Sequence, residues 1–176
     1  MRVTTRFANA CFAILSALLM LLPALPVKAA DPLPPPDGRV VLTVTGNLAH
    51  TNDAGQARLD MDLLASLPQH EFSTLTPWTD GKHEFRGVLL NELLQRLGAD
   101  GKRVRLVALN DYHHDIDMAL VRNTPFLLAT HLDGKRMKVR DKGPLWLMLP
   151  LSESKEYDTK RYHEMLVWQL KSLDIQ

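Results

Sequence analysis

The sequence predicts an α+β domain, largely β and built on mixed sheet, from three observations. Short runs rich in β-branched and apolar residues recur along the chain, only two or three segments have helical spacing, and Gly, Pro, Asn and Asp punctuate the intervals. A βαβ protein would alternate its strands with long helices, which this chain does not do. With 176 residues, 45% of them hydrophobic and 23% charged, length and composition are those of one globular domain. They exclude disorder, collagen and a disulfide-stapled mini-protein. The balance of 21 Lys and Arg against 20 Asp and Glu lacks the basic excess of a nucleic-acid binder.

Residues 1–30 read as a signal peptide: Arg2 and Arg6 precede an apolar run from Ala10 to Leu25, and Ala29 and Ala30 offer a cleavage site. The run is too short to span a membrane, and Pro23 and Pro26 interrupt its end. The expected location is periplasmic, without membrane insertion after cleavage. Cleavage removes Cys11, so the mature chain carries no cysteine, no disulfide and no thiolate for a metal. Residues 31–38, with Pro32, Pro34, Pro35 and Pro36, form a Pro-rich leader expected to be an exposed, mobile tether before a domain at 39–176.

Arg39 to Thr45 is β-branched and reads as a strand. Asp60 is placed to cap a short helix carrying Met61, Leu64, Ala65 and Leu67, stopped by Pro68. Glu71 to Thr76 predicts a strand, followed by the loop Pro77 to Gly81. Val88 to Leu97 puts Val88, Leu89, Leu90, Leu93, Leu94 and Leu97 on one helical face between Gly87 and Gly98. Val104 to Leu109, Phe126 to His131 and Trp146 to Leu149 read as further strands, and Met137 to Arg140 runs into Lys142, Gly143 and Pro144. A helical stretch begins at Asp158, and Val167 to Ile175 reads as the last strand. No dinucleotide fingerprint, P-loop, HExxH or GxSxG motif occurs.

The succession FRGVLLNELLQRLGA, LNDYHHDI, LLATHLDGKRMKVRDKGPLWLMLP and VWQLKSLDI resembles the molybdopterin-binding domain of the sulfite oxidase superfamily across nearly the whole mature chain. The resemblance implies a largely β, mixed-sheet fold of the sulfite oxidase type. Enzymes of that superfamily hold molybdenum through a cysteine thiolate just after the strand that here reads Glu71 to Thr76. This chain has Thr74, Leu75 and Thr76 there, and a neutral hydroxyl is a poor substitute for a soft thiolate. The Gly-x-Pro-x-Arg element of the family reads Gly143, Pro144 and Leu145 before Trp146, so a cation is missing as well.

A cysteine-free secreted version with Trp-Thr-Asp-Gly, Leu-Asn-Asp-Tyr and Arg-Asp-Lys-Gly-Pro motifs looks like the periplasmic pterin-response proteins of the PruR type. That resemblance implies a sensor that binds a tetrahydropterin-like molecule, holds no metal, and signals to the periplasmic domain of a membrane-bound cyclic-di-GMP enzyme. Molybdopterin is the less expected cofactor. The alternative is a molybdopterin-dependent oxidoreductase, or a subunit of one, with a non-cysteine metal site.

A pterin is flat, with an amidine-like donor face beside a carbonyl acceptor, so it calls for an aromatic plate, a carboxylate or Asn, and a cation or N–H. Trp78 is the stacking candidate, in a loop that also carries Thr76 and Asp80. Its alternative is a half-buried core tryptophan. Asn110, Asp111 and Tyr112 follow an apolar strand, where polar groups reach a cleft or merely satisfy an Asx turn. Arg140 and Lys142 are candidates for an anionic or carbonyl group, or form a solvated charged turn. Trp146 occupies a family cofactor position, although Trp146 and Trp168 both sit among Leu and Val as core residues do. His113 and His114 are adjacent, so a strand would point them apart rather than at one ion.

Overall fold

The computed structural model describes residues 32–176, and the signal peptide expected at 1–30 lies outside them. Ten strands and four short helices occur among the described residues, and the strands form two sheets. The first sheet runs in the order β2 (Ala57–Leu59), β1 (Leu42–Gly46), β10 (Leu170–Ile175), β5 (Arg103–Ala108), β6 (His113–Asp117). Here β1 and β10 are parallel and the other pairs antiparallel, which makes the sheet mixed as expected. The second sheet runs β3 (His70–Leu75), β4 (Lys82–Leu89), β7 (Leu127–Leu132), β8 (Lys135–Arg136), and β7 also pairs with β9 (Trp146–Met148).

Alternation decides which face of the first sheet is covered. Leu42 and Val44 of β1, Val104 and Leu106 of β5, and Leu173 and Ile175 of β10 point into the core, while Thr43, Thr45, Arg103 and Arg105 point out. Each such aliphatic side chain contributes roughly 1.5–3 kcal/mol on burial. Helices α1 (Met61–Ala65), α2 (Leu90–Arg96) and α3 (Met118–Asn123) add Leu64, Leu90, Leu93, Met118 and Val121 to the same core. A second cluster of Phe85, Leu127, Ala129, Met137, Trp146 and Met148 fills the other sheet, and Trp78 packs against both clusters.

Asp60 caps α1 as its position predicted, accepting from the N–H groups of Asp62 and Leu63. Its other oxygen accepts from the Gly38 N–H at 2.7 Å, and these bonds hold its carboxyl below the usual carboxylate range. The leader before Gly38 is not a free tether: Leu33 is buried in the main core, and the Pro34 carbonyl accepts from Asn52 Nδ2 at 2.7 Å. Apolar contact outweighs the extended preference of the prolines around it.

Several boundaries differ from the sequence reading. The helix expected over Val88 to Leu97 begins only at Leu90, because Val88 and Leu89 pair with Leu128 and Leu127 as the end of β4. The run from Met137 to Arg140 leads into a 3-10 turn over Val139–Asp141, after regular pairing stops at Arg136. The last strand starts at Leu170 instead of Val167, since Gln169 adopts φ 51 and breaks the extended run. Strands β2, β4, β6 and β8 and helix α3 were not anticipated. Helix α4 (Lys160–His163) lies within the helical stretch expected from Asp158. No helix among the described residues is long and apolar enough to cross a membrane.

Candidate functional site

A cavity of about 310 Å³ opens where three chain segments meet. Trp78 comes from the loop between β3 and β4, Ala108, Asn110 and Tyr112 from the end of β5, and His163, Glu164 and Trp168 from the run between α4 and β10. The size lies at the lower end of the roughly 300–1,000 Å³ range of small-molecule sites.

Local chemistry fixes the Trp78 loop. Thr76 Oγ1 accepts from the Trp78 N–H at 3.1 Å and shares a 2.7 Å hydrogen bond with Thr79 Oγ1, a side-chain-closed turn. The three tryptophans then meet at near right angles. Trp78 lies 6.0 Å from Trp146 and 6.0 Å from Trp168 between centroids, and Trp146 lies 6.3 Å from Trp168, with interplanar angles of 63°, 72° and 83°. Edge-to-face pairs of this kind are preferred by the ring quadrupoles. The His163 ring joins Trp78 at 5.4 Å, and Asp158 orients it through a 2.9 Å bond to Nε2.

Of the nine residues proposed from sequence, Trp78, Asn110 and Tyr112 come together on the cavity wall. Asn110 also closes an Asx turn by accepting from the Tyr112 N–H, and the Tyr112 hydroxyl donates to the Glu164 carbonyl at 3.2 Å, strapping two walls together. Thr76 shapes the Trp78 loop without lining the cavity. Asp111, at φ 65, turns to Lys171, whose Nζ lies 2.6 Å from its carboxylate and holds the carboxyl below the usual range. Trp146 is fully buried and donates its indole N–H to the Leu166 carbonyl at 3.2 Å, so it is packed against the cavity tryptophans rather than lining the cavity. Lys142 lies 5.5 Å from the centre of the Trp146 ring, Arg140 is exposed beside Asp141, and neither lines the cavity.

Trp168 is the residue that sequence reading assigned to the core. It is 38% exposed and forms a wall, because the turn at Gln169 takes it out of the β10 alternation. No sequence motif marks His163. Only the fold places it beside Trp78. His113 and His114 occupy successive positions of β6, and among the described residues no three His, Cys, Asp or Glu side chains gather as metal ligands.

Asp80 is exposed, and its backbone carbonyl serves the site indirectly. His83 Nε2 lies 2.7 Å from that carbonyl and Nδ1 lies 2.6 Å from the Asp133 carboxylate. Both partners are acceptors, so both ring nitrogens must carry protons. The Asp133 hydrogen bond accordingly raises the His83 pKa, and His83 in turn lowers that of Asp133. A raised histidine stabilises the fold fully below its ordinary value of about 6.5 and loses that contribution as pH rises through its folded value. A lowered aspartate contributes above about 3.9 and loses it as pH falls through its folded value. The pair therefore braces the Trp78 loop from about pH 4 to somewhat above 6.5. His131 acts oppositely, since burial lowers its pKa and stability is lost as pH falls below about 6.5. His83→Ala is expected to lower the melting temperature at pH 6 and to change it little at pH 9, a difference that pH-resolved thermal melts read directly.

No protein-family model and no curated protein matches the chain. Among solved structures, the chain is similar to the sulfane dehydrogenase SoxCD from Paracoccus pantotrophus, with a TM-score of 0.54 and 16% identity. The match covers 76% of this chain and 37% of that one, so this chain corresponds to a little over a third of the relative. The likeness is one of fold: the chain has a sulfite oxidase-like molybdopterin fold, as the order of its motifs implied.

The residues present do not fit the molybdenum group of that fold family. Thr74 is buried and its hydroxyl is engaged by Ser152, while the Thr76 hydroxyl is occupied by Thr79 and the Trp78 N–H. Neutral hydroxyls already committed to such bonds do not replace a soft thiolate. Among the described residues, no Lys or Arg lines the cavity to balance an anionic cofactor arm.

Proposed function

We propose that this chain is an exported, non-catalytic binding protein that captures a pterin-like small molecule and reports it to the periplasmic domain of a membrane-bound cyclic-di-GMP enzyme. The observation that carries the ligand half is the cavity walled by Trp78, Trp168 and Tyr112 with Asn110 at its edge. Trp78 and Trp168 are 72° apart, so a flat heterocycle stacked on one meets the other edge-on. The Asn110 amide offers a donor and an acceptor to an amino-pyrimidine edge. Resemblance of the loop motifs to the periplasmic pterin-response proteins supports the signalling half.

The test is made on protein purified from the periplasm of a host with intact pterin and molybdopterin synthesis. Denaturation should release a fluorescent pterin identified by mass, without stoichiometric molybdenum. About one molybdenum per chain would overturn the reading in favour of an oxidoreductase. Trp78→Ala is expected to weaken binding by about 1–3 kcal/mol, the range for loss of an aromatic stacking partner, measured by fluorescence titration. Unchanged affinity would remove Trp78 from the site.

A further inference from the structure

We infer that the outer face of the first sheet carries a docking groove for an acidic segment of a partner protein, anchored by one bulky apolar side chain. This rests on the reading that the chain reports to a partner, and not on which ligand it binds. The groove has a volume of about 460 Å³ and is distinct from the tryptophan-walled cavity. Val41, Leu109, Val139 and Leu170 are among its lining residues, and Leu109 and Val139 are 44% and 47% exposed.

Charge defines the occupant. Among the described residues the charged ones lining the groove are Arg39 and Lys171; Lys171 is paired with Asp111 at 2.6 Å, so the lining cation that no described carboxylate pairs is Arg39. Arg39 is exposed at the start of the domain, and Val139 sits in a turn flanked by Lys138 and by Arg140, the latter paired with Asp141 at 3.5 Å. An apolar floor with a cationic rim is complementary to a bulky apolar residue flanked by Asp or Glu. A concave surface with one such cation suits a side-chain anchor, whereas an anionic membrane surface is met by clusters of about 4–8 basic residues.

Gln169 stands in the chain between the groove and the ligand cavity. Gln169 donates its N–H to the Lys142 carbonyl at 2.9 Å, accepts from the Leu109 N–H at 2.9 Å, and donates from its side chain to the Val139 carbonyl at 2.7 Å. Its neighbours Trp168 and Leu170 line the cavity and the groove respectively. One residue therefore holds both exposed apolar residues of the groove and sits beside a wall of the cavity.

A random peptide library selected against the full chain tests this, with Arg39→Glu and Val139→Asp as comparators. Enriched peptides should carry Asp or Glu beside Leu, Ile or Phe. Arg39→Glu should weaken them about tenfold or more, as a like-charge contact does. Arg39 is exposed, so this variant stays informative if Val139→Asp melts early. Enrichment without acidic residues, or equal binding by Arg39→Glu, would overturn the inference. So would adsorption to phosphatidylglycerol vesicles, abolished by Arg39→Glu, in place of peptide binding. Pterin titration of the same preparations separates the two readings: retained pterin binding without peptide selection removes the groove alone, and the reverse removes the ligand alone.

Discussion

Trp146→Ala is expected to destabilise the domain by about 3–5 kcal/mol, the range for truncating a fully buried large aromatic. The side chain has no exposed surface and touches Trp78, Trp168 and Phe85, the last at 5.5 Å and 86°. Its removal opens a hole in the second core cluster and leaves the Leu166 carbonyl without its indole donor. The melting temperature should fall by roughly 10 °C, and ligand affinity should fall with it because two cavity walls lose their support. Trp146→Phe retains most of the packing and should cost about 1–3 kcal/mol through the orphaned carbonyl. Circular-dichroism melts of both variants check this, and an alanine variant as stable as the parent would show that the tryptophan cluster does not hold the core together.

Gly87→Ala is expected to be comparably severe for a different reason. At Gly87 the β4 backbone passes so close to β7 that an added Cβ would lie 2.0 Å from the Leu128 carbonyl oxygen and 2.9 Å from the Ala129 Cα. These are backbone atoms in the middle of the second sheet, so no side chain can swing aside. The ladder irregularity between Arg86 and Gly87 marks the same place. The cost should reach or exceed the upper end of the about 1–3 kcal/mol typical of overpacking. Expression and thermal melting are the readouts, and an alanine variant melting within about 3 °C of the parent would mean that the strands can separate here freely.

The strands that alternate or carry β-branched runs could be read from sequence: β1, β3, β5, β7, β9 and β10 each fall within or beside an expected segment. Those that escaped did so for physical reasons. Strand β6 reads HHDID and buries only Ile116, held in place by Arg105, which grips Asp115 across the ladder at 2.7 and 3.0 Å. A partner strand supplies that order, and periodicity does not record it. The run Val88 to Leu94 is apolar enough to satisfy either period, so the strand-to-helix junction at Leu89 was invisible. Trp78, Asn110 and Tyr112 were legible as a site because loop position and residue chemistry announce them. Trp168 and His163 were not, because their role depends on the turn at Gln169 and on the approach of α4 to the β3–β4 loop.

The side-by-side placement of β1 and β10 bears on how the molecule is made. Thr45 and Asp174 are 129 residues apart in the chain, yet the Thr45 hydroxyl donates to the Asp174 carboxylate at 2.9 Å. Strand β10 is the centre of its sheet, with β1 on one side and β5 on the other. Until that stretch has emerged, β1 with β2 and β5 with β6 are two ribbons with no shared ladder. Closing so long a loop is entropically slow, and topologies dominated by distant pairings fold slowly. A sheet built this way keeps two open edges until β10 is available to join them.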